Sequence, residues 1–255
     1  MNPVLVRDAG PVRWLTLNRP ERRNVFSAEL IAALKKALRD PGAARLVAIT
    51  GAGSAFCAGI DLAALRKLRP AARAEQVADA GSFAELLRMV AEHPLPVVAA
   101  VNGHALGGGA GLVSACDFAF ALPPARIGFT EVRLGFVPAI VLKFLLGVVS
   151  PRVARDLCLT GRQVDAAEAQ AMGLWKVTDD LEASVGALGG LIEETGPGAV
   201  AHTKRVFLTL PHLPLAEGLA RACEDNADAR MSPDFQEGVA AFLEKRKPRW
   251  PPPRG

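Results

Sequence analysis

Three consecutive glycines, Gly107 to Gly109, are the residues of this 255-residue chain whose type and spacing first suggest chemistry. Glycine costs backbone entropy, so such a run indicates that the backbone turns tightly, admits a close neighbour or presents bare N–H groups. The run follows the β-branched segment PVVAAV and precedes the apolar segment LVSACDFAFA, so it is predicted to turn a strand into a helix. Amides at the start of a helix can bind an anionic oxygen. A tight turn without a ligand is the simpler interpretation of an isolated glycine run, so the choice depends on other segments.

A second glycine-punctuated segment, GAGSAFCAGID at residues 51–61, follows a buried strand predicted from Arg45 to Thr50. It does not complete the GxGxxG pattern with a helix and an acidic residue about 20 positions later, so a dinucleotide site is not predicted. The third candidate is Glu131. It lies in the loop TEVRLGFVP, which follows the short predicted strand Ala125 to Phe129. A glutamate in a loop is usually a solvated surface residue, so Glu131 needs further support.

The elements that must position these candidates are strands alternating with helices for about 180 residues, followed by helices alone. The predicted elements are a hairpin over 4–7 and 12–18, a helix capped by Ser27, helices over 61–68 and 73–92, a strand over 118–121, and helices opened by Pro138, by Ser150-Pro151 and at Asp165. This order predicts an α/β core over 1–195 and a C-terminal helical region over 196–255.

Composition limits the function classes. The net charge of +4 comes from basic residues spread along the chain, which disfavours nucleic acid as a partner and suits an anionic small molecule. The four cysteines lack CxxC pairing and nearby histidines, so neither a zinc site nor a disulfide framework is predicted. The N-terminus has no signal-peptide layout, and no apolar run reaches the roughly 20 residues that span a bilayer. We therefore expect a cytoplasmic protein without a membrane partner.

Three segments in this order resemble the enoyl-CoA hydratase/isomerase (crotonase) family: SAFCAGIDL at 54–62, VNGHALGGGAGL at 101–112 and FTEVRLGFVP at 129–138. The likeness extends from NRPERRN near the start to FLEKRKPRW near the end, so it covers essentially the whole chain. The resemblance implies an α/β, crotonase-like spiral of stacked ββα units. It also implies that the C-terminal helices pack on the core or on neighbouring subunits, in a homotrimer or a dimer of trimers. The implied substrate is an acyl-CoA thioester, with no separate cofactor and no metal.

Two backbone amides bind the thioester oxygen in this family, and the matching positions here are Ile60 and Gly108. Reaction at the α- or β-carbon of a thioester places negative charge on the carbonyl oxygen, and preorganised N–H donors that meet this charge lower the barrier. Each donor contributes about 10²- to 10³-fold. Because the donor is the backbone, a bulky apolar side chain is compatible with position 60.

The chain departs from the best-studied hydratases of the family at one acidic residue. Those enzymes carry one glutamate three residues beyond the middle glycine, where this chain has Gly111, and a second in the later loop, where this chain has Glu131. Glu131 alone could deprotonate the water that attacks the β-carbon and then protonate the α-carbon. It could equally shuttle a proton between the α- and γ-carbons of a 3-enoyl thioester, as a Δ3,Δ2-enoyl-CoA isomerase does.

Hydration of a 2-enoyl-CoA is the preferred hypothesis, because members with GAGL and TEVRLGFVP segments like these include enoyl- and methylglutaconyl-CoA hydratases. The isomerase remains an alternative, as does a non-catalytic member that binds acyl-CoA or RNA. Either reaction is helped if partial desolvation raises the pKa of Glu131 from about 4.3 toward the working pH. Four apolar neighbours in the sequence favour such surroundings: Phe129, Val132, Phe136 and Val137.

The resemblance also implies contacts with coenzyme A. These fall at Arg22, Arg23, Ala58, Ile60, Asp61, Leu62, Gly108 and Lys245. The charges of Arg22 and Arg23 suit the phosphates of the nucleotide, and Lys245 matches a region where the family places a basic residue, often from a neighbouring subunit. Solvated surface positions are the alternative for these three residues, and a helix cap is the alternative for Asp61.

Overall fold

The fold is described by a computed structural model for residues 2–250. Ten strands lie within these residues and form two sheets. In chain order they are β1 (Val4–Ala9), β2 (Val12–Leu17), β3 (Leu46–Gly51), β4 (Ala55–Cys57), β5 (Val97–Val101), β6 (His104–Leu106), β7 (Phe118–Ala121), β8 (Arg126–Gly128), β9 (Gln163–Asp165) and β10 (Lys176–Val177).

Eleven α-helices lie within the same residues. In chain order they are α1 (Ala28–Leu38), α2 (Leu62–Leu68), α3 (Arg73–Ala91), α4 (Gly108–Ala115), α5 (Ala139–Leu145), α6 (Pro151–Thr160), α7 (Ala166–Ala171), α8 (Leu181–Glu193), α9 (Pro197–Thr209), α10 (Leu215–Arg230) and α11 (Pro233–Leu243). Short 3₁₀ helices cover Pro20–Arg22, Glu131–Leu134 and Leu210–His212. The elements predicted from the sequence are thus present, with ends that differ by a few residues.

The two sheets are built from strands that alternate along the chain. The six-stranded sheet has the order β1-β2-β3-β5-β7-β10, and the four-stranded sheet has the order β4-β6-β8-β9. The β1–β2 and β8–β9 pairs are antiparallel, and the other pairs are parallel. Each of the pairs β3–β4, β5–β6 and β7–β8 therefore sends one strand to each sheet before a helix follows. This is the predicted spiral of stacked ββα units.

The surroundings of the glycine run differ from the prediction in one respect. The segment PVVAAV contains β5, but β6 lies between β5 and the glycines. The strand that turns into α4 is consequently β6. Its three residues are too few to show a periodic pattern, which explains why the sequence does not reveal it.

Local signals and burial explain the individual elements. The Ser27 hydroxyl accepts a hydrogen bond from Leu30 N at 3.2 Å and so caps α1. The apolar stripe of α1, which includes Ile31, Leu34 and Leu38, is buried against the sheets. The main core lies between the two sheets and the helices beside them, and it takes one face of the larger sheet. The other face of that sheet packs on Val185 of α8 in a second core, to which β2, β3 and β5 contribute Val12, Trp14, Leu46, Ala48, Val98 and Ala100.

Lys204 links the C-terminal helices to the main core through hydrogen bonds and an ion pair. Its buried ammonium on α9 donates to the carbonyl oxygens of Val90 at 3.1 Å and Leu95 at 3.2 Å. It also pairs with Asp117 Oδ2 at 2.7 Å, and the same oxygen accepts from Val97 N at 2.7 Å. A charge buried in this way is stable only because every donor has a partner.

Between residues 2 and 250 no helix combines the length and the apolar character needed to cross a membrane. The same residues contain no cluster of three or more His, Cys, Asp or Glu side chains that could hold a metal. The cytoplasmic location and the division of the chain at residue 195 stay predictions. The tail RWPPPRG at 249–255, which its composition predicts to be extended or disordered, lies largely outside the described residues.

Candidate active site

The glycine run forms the turn between β6 and α4. Gly107 has a φ of +50°, in the left-handed region that favours glycine, and its N–H donates to Gly128 O at 2.8 Å. Gly108 is the first residue of α4, so the helix supplies no acceptor for its N–H. All eight residues of α4 are buried. The Gly108 amide thus lies at a buried helix N-terminus, where the helix dipole favours negative charge.

The loop after β4 brings the second predicted amide beside the first. Gly59 has a φ of +99°, and a β-carbon built on it would lie 3.5 Å from Gly108 N. Phe26 N donates to Gly59 O at 2.7 Å, and Asp61 N donates to Phe26 O at 3.1 Å. These bonds fix the loop on both sides of Ile60, whose own N–H has no backbone acceptor within residues 2–250. The side chain of Ile60 reaches to 3.3 Å from a β-carbon position on Gly108.

Gly109 explains why the run must contain more than one glycine. A β-carbon at this position would overlap the Cys57 carbonyl oxygen and lie 2.9 Å from Cys57 Cβ. The start of α4 therefore packs directly on the backbone at the end of β4. This contact sets the distance between the two loops that carry the Ile60 and Gly108 amides.

Glu131 brings a carboxylate to the same place. A β-carbon built on Gly107 would lie 3.5 Å from Glu131 Oε1. Its Oε2 is buried and has no hydrogen-bond partner among the described residues. Burial raises the pKa of Glu131, and a hydrogen bond from its own backbone amide offsets part of this rise. Burial, with a smaller contribution from the charge of Glu131, raises the pKa of the Cys158 thiol to about 11, so α6 lies near the carboxylate as well.

The surroundings of Glu131 differ in part from the prediction. The residue begins a 3₁₀ turn rather than an irregular loop, and Phe129 is buried while Val132 is half-buried. Phe136 is 56% and Val137 is 63% exposed, so the expectation that they enclose the carboxylate is wrong for this chain by itself. Gly135, with a φ of +69°, ends the turn before these two residues and directs them outward.

The position of the expected second acid is filled by another side chain. A β-carbon built on Gly111 would overlap Val141 Cγ1 and lie 2.9 Å from Val141 Cβ and 3.5 Å from Leu87 Cδ1. Val141 belongs to α5 and is 3% exposed. The absence of an acid at position 111 is thus matched by the packing of α5 on α4, which leaves no room for a side chain there.

The residues predicted to border coenzyme A gather at one end of the site, with one exception. Arg22 Nη2 lies 3.0 Å from Asp61 Oδ2, and Ala58 N donates to Arg23 O at 3.0 Å. Asp61 also caps α2 by accepting from Ala63 N at 3.0 Å, so its predicted helix-cap alternative is present. Leu62 and both arginines are exposed beside the amide loop.

Lys245 is the exception. It is exposed in the turn after α11, a helix that packs against α9 and α10. Its role at the coenzyme stays a prediction, as do the roles of the other residues.

Three side chains that pack on the glycines of α4 could not be identified from the sequence. Phe83 and Leu87 approach α4 from α3, and Val141 approaches it from α5. The only available signal was the spacing of Phe83 and Leu87, which places both on one face of a helix. Which element that face covers depends on the fold.

Comparison with known proteins places this chain in a family. The sequence profile of the enoyl-CoA hydratase/isomerase family matches residues 8–252. The chain belongs to the enoyl-CoA hydratase/isomerase family. An acyl-CoA substrate is consistent with this membership.

Relatives of this enoyl-CoA hydratase/isomerase family member cover nearly all of its length. A Thermus thermophilus protein, provisionally named an enoyl-CoA hydratase, is 41% identical over 254 residues, which are 95% of this chain and 98% of that protein. A peroxisomal Δ3,5-Δ2,4-dienoyl-CoA isomerase of Arabidopsis thaliana is 30% identical, over 92% of this chain and 91% of that protein. The crystal structure of an enoyl-CoA hydratase from Shewanella pealeana has a TM-score of 0.92 and 28% identity, with 97% of this chain and 96% of that chain covered. The fold is therefore the crotonase fold, as the resemblance predicted.

Proposed function

We propose that this enoyl-CoA hydratase/isomerase family member adds water across the 2,3-double bond of a 2-enoyl-CoA thioester. The observation that carries the proposal is a buried, unpartnered carboxylate oxygen of Glu131 beside the turn that ends in the Gly108 amide. A carboxylate that lacks a protein partner is free to exchange a proton with water or substrate. Several of the relatives are named enoyl-CoA hydratases, which is consistent with this reaction.

The thioester oxygen would bind between the Ile60 and Gly108 amides. Attack on the β-carbon shifts the electrons of the double bond toward this oxygen and produces an enolate. Both amides are held in place before the reaction by the Phe26 and Cys57 backbone contacts, so little reorganisation is needed when the charge appears.

Glu131 would perform both proton transfers. Its carboxylate takes a proton from the water whose oxygen bonds to the β-carbon. The resulting carboxylic acid then donates that proton to the α-carbon as the enolate collapses to the thioester. The net change is the addition of one water, and Glu131 returns to its ionised state. The substrate arrives already linked to coenzyme A, so the reaction uses no separate cofactor.

Arg22 and Arg23 would hold the coenzyme. They lie beside the loop that carries Ile60, and Arg22 is half-exposed although it pairs with Asp61. A guanidinium in this position can form two hydrogen bonds to a phosphate. Lys245 would reach the coenzyme of an adjacent subunit in a homotrimer or a dimer of trimers.

A Δ3,Δ2-enoyl-CoA isomerase is the second candidate. Val141 fills the space over Gly111, which leaves Glu131 as the carboxylate that the fold delivers to the amides. One carboxylate is sufficient to remove the α-proton of a 3-enoyl thioester and to deliver a proton to the γ-carbon. The isomerase named among the relatives is consistent with this alternative.

Product analysis distinguishes the two reactions. Purified protein is incubated with a panel of 2-enoyl-CoA and a panel of 3-enoyl-CoA thioesters, and the products are followed by chromatography and mass. Hydration adds the mass of one water, whereas isomerisation leaves the mass unchanged and shifts retention. The Glu131→Gln variant should lose about 10²- to 10⁴-fold of either activity, because it cannot accept a proton.

A matched control is Glu182→Gln, since Glu182 is an exposed glutamate of α8 that pairs with Arg7 at 2.6 Å. This variant should keep full activity. The proposal is wrong if neither panel is turned over or if Glu131→Gln remains as active as the parent. RNA retention that weakens with salt, without turnover, would instead indicate a binding protein.

A further inference from the structure

Asn24 lies two residues before Phe26, the residue that bonds to the loop of the Ile60 amide, and its backbone is in the left-handed region. Its φ is +55° and that of Arg23 is +51°, values that few residues other than glycine adopt. Asn24 is also fully buried, although asparagine is usually exposed. A buried polar residue in a sparsely populated backbone conformation must be held there by its contacts.

The carboxamide of Asn24 uses its oxygen and both of its N–H groups. Oδ1 accepts a hydrogen bond from Arg19 N at 2.8 Å, and Nδ2 donates to Ala52 O at 3.0 Å and to Ala55 O at 2.9 Å. Ala52 follows β3 and Ala55 begins β4, so the side chain joins its own loop to the turn between these strands. Among side chains of this length, only asparagine offers an acceptor and two donors.

The backbone on both sides of Asn24 is bonded to the loop that carries the Ile60 amide. Before it, Arg23 O accepts from Ala58 N at 3.0 Å. After it, Phe26 forms a parallel bridge with Ile60. Together with the bond from the Asn24 side chain to Ala55, these contacts close a ring that runs along β4 to Ile60 and back through residues 23–26. The loop after β4 is therefore fixed at its beginning and at its end.

We infer that Asn24 is a positioning residue of the site, which fixes the direction of the Ile60 amide. This inference rests on the proposed function, because it takes the Ile60 N–H as a donor to the thioester oxygen. Asn24 acts through the loop, since a fully buried side chain does not reach the substrate. A donor lowers the barrier only if it is aimed at the charge that develops during the reaction. Loss of Asn24 should therefore affect the chemical step more than substrate binding.

Two substitutions remove these contacts in different ways. Asn24→Gly keeps a residue that readily adopts a positive φ, but it removes all three hydrogen bonds of the side chain. Asn24→Asp keeps the size of the side chain and replaces both N–H donors with an oxygen. Each variant should lower kcat for hydration of a 2-enoyl-CoA by about 10- to 10²-fold, because a small misplacement of a donor weakens transition-state stabilisation. The KM should change much less.

The stretching frequency of a thioester carbonyl reports on the same alignment without turnover. Infrared difference spectra are recorded for butyryl-CoA, a saturated thioester, labelled with ¹³C at the carbonyl carbon. Hydrogen bonds from the Ile60 and Gly108 amides should lower this frequency in the parent relative to butyryl-CoA in water. Both Asn24 variants should return it toward the value in water. A purely structural role would reduce the folded fraction and leave the frequency of the bound carbonyl unchanged.

The control is Asp180→Ala, which also removes a hydrogen bond from a side chain to the backbone. Asp180 Oδ1 accepts from Ala183 N at 3.0 Å and caps α8, a helix that packs on the other face of the larger sheet. This variant should have a lower melting temperature but the kcat and carbonyl frequency of the parent. All measurements are made well below the melting temperature of each variant, which circular dichroism gives.

The outcomes separate the inference from the proposed function. If the parent hydrates 2-enoyl-CoA and the Asn24 variants keep its kcat or its carbonyl frequency, the inference is wrong and the proposed function stands. If the parent does not hydrate 2-enoyl-CoA but lowers the frequency of butyryl-CoA, and the variants lose this shift, the inference holds and the proposed reaction is wrong. A parent that leaves the frequency of butyryl-CoA unchanged overturns the inference, whatever its turnover.

Discussion

Glu131 is held in surroundings that oppose its ionised form. Its Oε2 is buried without a hydrogen-bond partner among the described residues, and burial raises its pKa. An ordinary surface glutamate would be fully ionised and well solvated at neutral pH, and so a weaker base. The same burial that makes Glu131 a useful acid/base should therefore reduce the stability of the folded protein at neutral pH.

The raised pKa of Glu131 predicts the pH dependence of the reaction. Hydration requires the ionised carboxylate, so kcat/KM for a 2-enoyl-CoA should fall as the pH is lowered through the raised pKa of Glu131. The midpoint should lie above the value of about 4.3 that is typical of an unperturbed glutamate. Initial rates between pH 4.5 and 9, with stability checked at each pH, measure it. A rate that stays constant down to pH 4.5 would contradict the assignment.

The same shift predicts an effect of Glu131→Gln on stability. Because the pKa in the folded state is raised, the contribution of this group to stability is fully present below its unfolded-state pKa and is lost as the pH rises past its folded-state pKa. Glu131→Gln should therefore raise the melting temperature at pH 8, and the difference should disappear near pH 4. Thermal melts of this variant, with Glu182→Gln as the exposed control, test the prediction. A lower melting temperature for Glu131→Gln at pH 8 would show that the carboxylate stabilises the fold.

At the scale of single residues, the sequence predicts the glycine turns of the site better than it predicts the side chains that pack on them. Glycine spacing predicted two tight turns, the family resemblance assigned the Ile60 and Gly108 amides to them, and the structure brings the loop of Gly59 against Gly108 N. The residues over Gly111 were not predictable, because Val141 and Leu87 are ordinary apolar residues of two separate helices. The solvent exposure of Phe136 and Val137 was also predicted wrongly. It depends on the direction in which the chain leaves the 3₁₀ turn that begins at Glu131.

At the scale of secondary-structure elements, two contacts position α4, one with backbone atoms and the other with a side chain. Gly109 faces the backbone carbonyl of Cys57, which belongs to β4 and cannot move without shifting a strand. Gly111 faces the side chain of Val141, which can be replaced. A β-carbon at either position therefore destabilises the fold, but only the clash at Gly111 can be relieved by a second substitution.

A double-mutant cycle at this contact tests the packing. Gly111→Ala should cost about 1–3 kcal/mol of unfolding free energy, because the new methyl group overlaps Val141. Val141→Gly also destabilises the protein, since it leaves a cavity. In the double variant the methyl group occupies part of that cavity, so the two costs should not add, and the coupling should be about 0.5–3 kcal/mol. Urea unfolding of the four proteins measures it.

The control for this cycle is Gly190→Ala on α8, where a β-carbon has no neighbour within 4 Å. It should raise stability by about 0.5–1 kcal/mol, because alanine restricts the unfolded chain and suits a helix. If the unfolding free energies lost in Gly111→Ala and Val141→Gly simply add in the double variant, α5 does not pack tightly on α4 at this contact.

The sequence predicted most elements because their signals are local. Ser27, Ser150 and the prolines mark helix starts, and β-branched runs mark the strands of the larger sheet. Among the three-residue strands of the smaller sheet only β8 was predicted, whereas β4, β6 and β9 are too short to show a pattern and were not predicted. They form because each lies beside the corresponding strand of the preceding unit, which is a property of the stacked fold.

At the scale of the whole molecule, the C-terminal helices expose many large apolar side chains, and exposed apolar patches often mark interaction sites. Large side chains on α9 to α11 are in contact with solvent, among them Phe207, Leu215, Leu219, Phe242 and Leu243, as is Met231 in the turn between α10 and α11. The helices are nevertheless fixed to the core, since Lys204 binds two core carbonyls and Asp117. A fixed helical layer with an apolar outer face suits an interface between subunits, which supports the proposed trimer.

Disruption of this face should change the oligomeric state. Light scattering after gel filtration should give the parent a mass of three or six times the 26.8 kDa chain. Leu215 and Phe242, which are 80% and 83% exposed, would be buried between subunits, so Leu215→Ser with Phe242→Ser should shift the protein toward the monomer. Leu191→Ser, which changes an exposed leucine of α8, is the matched control and should leave the mass unchanged. If the parent itself is monomeric at micromolar concentration, the trimer proposal is wrong. The placement of Lys245 at the coenzyme of an adjacent subunit then fails with it, because a monomer offers no adjacent subunit.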